Sequence, residues 1–166
     1  MKIEIQSAQL EDKSILRNLM ELCQHDYSEF DGADVDSHGL FGYKYLDNYW
    51  TESGRYPFLI RENGKLLGLV LVRRIASSDN AVAHSIAEFF ILRKYRRQGI
   101  GRTVAHRIFD MFPGDWSVAQ EEGNHPAQAF WRRVVSEYTQ GDFQALHSNN
   151  EEWKGPLLKF RTKAEG

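Results

Sequence analysis

Ala87-Glu88-Phe89-Phe90-Ile91-Leu92-Arg93-Lys94-Tyr95-Arg96-Arg97-Gln98-Gly99-Ile100-Gly101 joins an apolar, strand-like run to a turn with two glycines. An amphipathic helix starts near Ile100, with Ile100, Val104, Ile108 and Phe112 recurring every four residues. Glycines at such a junction let the backbone turn tightly and bring its N–H groups close to an anion. A helix N-terminus adds unsatisfied donors and a partial positive charge, which suits a phosphate. Arg96, Arg97 and Arg102 flank the turn and could close over a pyrophosphate. The plainer alternative is a helix start with solvated arginines.

Composition bounds what the chain can be. At 166 residues it is expected to form one domain, residues 1–166, with a sizeable core. The net charge is −2, with both signs spread along the chain, so no bulk attraction to nucleic acid is indicated. A single cysteine, Cys23, excludes an internal disulfide framework and reads as a small buried apolar residue. No segment resembles a signal peptide or a membrane-spanning helix, and a cytoplasmic location is expected. The six histidines show no paired metal spacing, so no metal is expected.

Outward from the turn, the order of elements is β-α-β-β-β-α-β-α-β-β. Residues 2–6 alternate as a strand, and Ser14 is a candidate cap for a helix carrying Leu16, Leu19, Met20 and Cys23. That helix is expected to fade near His25, followed to Gly42 by an acidic connection, either a functional loop or a short irregular helix. Asn63-Gly64 between two apolar runs predicts a hairpin. Pro113-Gly114 stops the helix that begins at Ile100, and Trp116–Gln120 is a short strand. Asn124 as N-cap and Pro126 in the first turn open a helix to about Tyr138. Strands follow near 142–146 and 157–160. The fold class is therefore α/β (α+β), with a mixed sheet.

Neither a Walker loop nor a dinucleotide fingerprint fits, because the lysine of the first and the third glycine of the second are missing. The pattern Arg-x-x-Gly-x-Gly after a strand resembles the GNAT-type N-acetyltransferases, whose signature is Gln/Arg-x-x-Gly-x-Gly/Ala. Upstream, Glu88–Tyr95 is similar to that family's central strand and exit loop. Downstream, Asn124-His-Pro-Ala-Gln-Ala-Phe-Trp131 is similar to its Asn-x-x-Ala-x-x-Phe-Tyr helix. The ordered set covers roughly residues 57–147. The resemblance implies a central, mostly antiparallel sheet flanked by helices, and transfer of an acetyl group from acetyl-CoA directly to an amine.

It also implies roles. Arg96, Arg97, Gln98, Gly99, Ile100, Gly101 and Arg102 would hold the pyrophosphate, and the backbone of Phe90, Ile91 and Leu92 would pair with the pantetheine arm. Asn124 would hydrogen-bond that arm or act only as a helix cap. Glu88 is the candidate general base; its alternatives are an ion pair or a solvent-facing strand position. An ammonium of pKa about 10.4 must lose a proton before attack, which costs about 4–5 kcal/mol at pH 7, and a carboxylate could take it. Trp131 stands where many relatives carry a tyrosine that assists the departing thiolate, and an indole cannot act as that acid. Tyr138 or a tyrosine of the 43–49 cluster could replace it. Tyr27, Glu29 and Tyr43, with neighbouring acidic and aromatic residues, could receive a cationic amine, or form a solvated loop over core aromatics.

The leading expectation is an acetyl-CoA-dependent N-acetyltransferase acting on a small-molecule primary amine. The alternatives are a peptide or protein amine as acceptor, a non-catalytic acyl-CoA-binding module, and an unrelated phosphate binder. Neither nucleic acid nor a membrane is expected as a partner. A homodimer is allowed, though no segment identifies its interface.

Overall fold

A computed structural model describes residues 2–77, 81–151 and 153–163. Seven strands join in one sheet in the order β1-β2-β3-β4-β5-β7-β6. They are β1 (Glu4–Ser7), β2 (Arg55–Glu62), β3 (Lys65–Ala76), β4 (Val82–Ile91), β5 (Asp115–Ala119), β6 (Gln144–Asn149) and β7 (Lys154–Arg161). The helices are α1 (Lys13–Asp31), the short α2 (Asn48–Thr51), α3 (Ile100–Met111) and α4 (His125–Thr139). The pairs β1/β2, β5/β7 and β6/β7 are antiparallel, whereas β4 runs parallel to β5, with Ala83, His84 and Ser85 opposite Asp115, Trp116 and Ser117. By density of contacts the chain divides into two compact units, residues 1–72 with 87–97, and residues 73–86 with 98–166.

In the first unit, α1 buries Leu16, Leu19, Met20 and Cys23 against Leu59, Leu69, Leu71 and Phe90. This helix departs from the sequence reading at both ends. Ser14 is not its cap, since the helix begins at Lys13 after a 3-10 turn over Leu10–Asp12. The Gln9 amide donates to Asp12 Oδ2 (2.9 Å) at that turn. At the other end α1 continues past His25 to Asp31, so the acidic connection is helical over its first third. Tyr27 extends the buried stripe four residues beyond Cys23, and Gly32 (φ 72°) closes the helix by donating to the Ser28 carbonyl. The loop that follows is pinned to α1 by Glu21, whose carboxylate accepts from the Phe41 and Gly42 amides at 2.7 and 2.9 Å. The β2–β3 hairpin turns on Asn63 (φ 49°) and Gly64 (φ 77°), as Asn-Gly predicts.

Gly68 of β3 could not carry a side chain. A Cβ there would stand 1.9 Å from the Phe90 carbonyl oxygen. The chain needs that close approach where β4 ends, and the Leu92 amide donates to Leu67 O at 2.8 Å just beyond.

The second unit packs α3 and α4 through Ile100, Val104, Ile108, Phe109, Val134 and Val135. Phe109 centres an aromatic cluster, 5.0 Å from Trp116 and 4.8 Å from Phe160. Asn124 caps α4, its Oδ1 accepting from the Ala127 amide at 3.1 Å, with Pro126 in the first turn.

Candidate active site

Glu88 lies in β4 of the first unit and is half-buried. The Cys23 thiol lies 4.0 Å from its Oε2. One turn further along α1, Tyr27 donates its hydroxyl to the Phe89 carbonyl at 3.1 Å. The phenols of Tyr27, Tyr43 and Tyr49 all sense the Glu88 charge. Burial above all holds their protons on, with the Cys23 thiol second for Tyr27 and Glu88 second for Tyr43. The Tyr49 residue is only 3% exposed, and its hydroxyl interacts with the Tyr43 hydroxyl and the Arg55 guanidinium. A carboxylate thus sits among neutral phenols and a thiol, an arrangement suited to receiving a proton from a ligand.

The residues assigned to the amine acceptor divide. Tyr43 belongs to this cluster. Tyr27 is there too, with its hydroxyl donating to β4. Glu29 is exposed on α1, on the polar side of the helix. The expected stacking surface is already partly used. Arg55 sits over the Tyr45 and Tyr49 rings at 5.8 and 5.4 Å, and Trp50 donates its indole N–H to the Ala8 carbonyl. The acidic loop is also less available than its sequence suggests, because Asp31 and Asp36 accept from nearby backbone amides.

Arg96 has partners within the fold. The sequence reading places it on the pyrophosphate, but its Nε donates to the Ile91 carbonyl (2.7 Å), its guanidinium pairs with Asp26 (2.5 Å) and it lies over the Phe90 ring at 5.5 Å. Asp26 also pairs with Arg93 at 2.7 Å. The last turns of α1 therefore tie down the end of β4 and the segment leaving it. The Ile91 carbonyl thus already accepts one hydrogen bond. Phe90 is buried and Leu92 half-buried, both against the core of this unit.

Arg97 (φ 63°) and Gly99 (φ 78°, ψ 3°) both take left-handed backbone, and Gly99 is the N-cap of α3. A non-glycine residue in that region is uncommon, so the turn holds Arg97 against its preference. A Cβ on Gly99 would meet nothing within 4 Å, so the helix start opens on free space. Gln98 is exposed beside it, Ile100 is buried, and Gly101 lies in the first turn. Gly99 itself is exposed, and a helix start leaves its first backbone N–H groups without intrahelical partners. Arg102 instead pairs with Glu137 of α4 at 3.3 Å, both exposed.

In the second unit, Asn124 is buried, and its Oδ1 accepts the cap hydrogen bond. A groove of about 520 Å³ adjoins it, lined by Gln120, His125, Gln128, Arg132 and His147 among others. Trp131 is 6% exposed and packs 6.4 Å from Phe109, so the residue in the family's tyrosine position is core. Tyr138, the substitute acid, donates to Asp110 Oδ1 at 2.6 Å. Burial and then Asp110 raise its pKa. Asp110 lies about 15 Å along α3 from the Gly99–Gly101 turn. Tyr138 is therefore not brought to that turn. Among the described residues no group of three or more metal-ligating side chains occurs, and no helix is long and apolar enough to cross a membrane.

Comparison with known proteins gives these features a family. Residues 16–135 match the family model described as the acetyltransferase (GNAT) family. N-alpha-acetyltransferase 30 of Schizosaccharomyces pombe is 23% identical over 123 residues, covering 72% of this chain and 75% of its own. Among solved structures, an acetyltransferase from Thermus thermophilus superposes with a TM-score of 0.71 at 14% identity, covering 97% of both chains. An aminoglycoside acetyltransferase in complex with coenzyme A gives 0.67 at 13% identity, covering 96% of this chain and 95% of that one. The fold, the order of motifs and the family match agree: this chain belongs to the GNAT family of acetyltransferases.

Proposed function

We propose that the chain, acting as one domain over residues 1–166, transfers the acetyl group of acetyl-CoA directly to a primary amine of a small molecule. The observation that carries the reading is Glu88, a carboxylate held inside β4 among Cys23, Tyr27, Tyr43 and Tyr49. A half-buried carboxylate beside a thiol and phenols is the setting in which active-site bases occur.

In this reading Gly99, Gly101 and the exposed Arg97 hold the pyrophosphate, Gln98 and Ile100 contribute backbone, and Asn124 offers its amide N–H₂ to the arm. Glu88 takes one proton from the acceptor ammonium, directly or through water. The freed amine nitrogen forms a bond to the thioester carbonyl carbon, the C–S bond breaks, and the thiolate leaves. A thiol of pKa about 8.5 is a fair leaving group, so protonation from solvent suffices. This matches the placement of Trp131 in the core and of Tyr138 on Asp110. The cytoplasm, where free thiols persist, is the proposed setting.

A peptide α-amine is the second reading, favoured by the likeness to N-alpha-acetyltransferase 30. Glu88→Gln tests the shared chemistry. Turnover should fall most at low pH while acetyl-CoA affinity stays near wild type; unchanged turnover at every pH would remove Glu88 as base. A panel of free amines against short peptides separates the two acceptor classes by kcat/KM.

A further inference from the structure

The thiol beside Glu88 has no part in the mechanism above. Cys23 is fully buried in α1, with Sγ 4.0 Å from Glu88 Oε2, within donating distance for sulfur. By default such a cysteine is a small apolar residue. One feature of its surroundings argues for more. Tyr27, four residues on and on the same helix face, donates to Phe89 O, so α1 grips two successive residues of β4.

We propose that Cys23 is a positioning residue for acetyl transfer: its S–H donates to Glu88 Oε2, fixing the carboxylate's orientation and favouring its charged form. The proposal rests on Glu88 being the base. The groups facing this pair are Asp26 and Tyr27 from α1, Tyr43 from the following loop, Tyr49 from α2, Arg55 from β2 and Arg96 after β4. Burial first and Glu88 second push the Cys23 thiol up, so it stays protonated and keeps a proton to donate.

The test is the pH profile of kcat/KM for Cys23→Ala and Cys23→Val. Both remove the donor, and they change the packed volume in opposite directions. Losing a donor to a carboxylate makes it easier to protonate, so the acid limb should move up by about half a pH unit in both. Activity would be roughly threefold lower on that limb and near wild type on the plateau. A limb that stays put in both folded variants, or moves in opposite directions, overturns the proposal.

A second readout does not depend on activity. Cys23 is the sole cysteine, so its S–H stretching band stands alone in the infrared spectrum. Glu88→Gln should shift that band; an unmoved band overturns the contact, even where the same variant abolishes turnover. A shifted band with wild-type turnover would keep the contact but sink the base reading, and the positioning role with it.

Discussion

Replacing Gly99 with valine separates what the turn does for folding from what it does for binding. Gly99 sits at φ 78° with nothing within 4 Å of a would-be Cβ, so the added Cβ meets no neighbour. The penalty is conformational, about 1–2 kcal/mol for an L-residue in left-handed backbone. A domain with about 5–15 kcal/mol of stability survives it. The cost to binding has another source, since a bulky side chain would push an anion off the helix start. Losing one charge-assisted hydrogen bond of about 1.5–3 kcal/mol raises the Kd by roughly 10–100-fold. Gly64 supplies a matched control, with φ 77° and equally open space, in the β2–β3 turn. Calorimetric titration with acetyl-CoA should show both Gly99→Val and Gly64→Val folded and similarly destabilised, with affinity lost only in the first. Equal affinities would refute the anion site and return the glycine to an ordinary helix start.

Tyr138→Phe removes the hydrogen bond to Asp110, so it should lower stability by about 1 kcal/mol in denaturant melts and leave kcat unchanged. A large fall in kcat with stability intact would restore Tyr138 as an acid. Arg96→Ala breaks its bond to Ile91 O and its pair with Asp26, one of them at the surface, for a loss of about 1–2 kcal/mol. An unchanged melting temperature would contradict the clamp. Burial, and next the Arg74 guanidinium, hold the His84 imidazole below its ordinary pKa. The unfolded chain then binds the extra proton first as pH falls through about 6.5, so stability falls with it. His84→Leu should flatten that acid-side slope in melts across pH, and an unaltered slope would exclude His84 as its source.

What the sequence makes legible follows from the range of the interactions involved. The Asn63-Gly64 turn, the Asn124 cap with Pro126, and the four-residue repeat of α3 are local, and each stands where its residues predict. The true end of α1 is also written locally, in Gly32, but the acidic residues after His25 mask the continuing stripe through Tyr27. The partners of Arg96 cannot be read this way. Asp26 lies 70 positions away, and the three arginines flanking the turn look alike until a fold gives one of them a carbonyl and a carboxylate. The same holds for Cys23 and Glu88, which are 65 positions apart. Gly68 is visible as a glycine inside a strand, but its reason is the Phe90 backbone across from it.

The most direct measurement is a calorimetric titration of the purified wild-type protein with acetyl-CoA, with ADP as the comparison ligand. Tight acetyl-CoA binding with weak ADP binding is the expected result, because the α3 turn would hold the pyrophosphate while β4 holds the pantetheine arm. Equal binding of the two, or none by a folded sample, would contradict acetyl-CoA as the acyl donor.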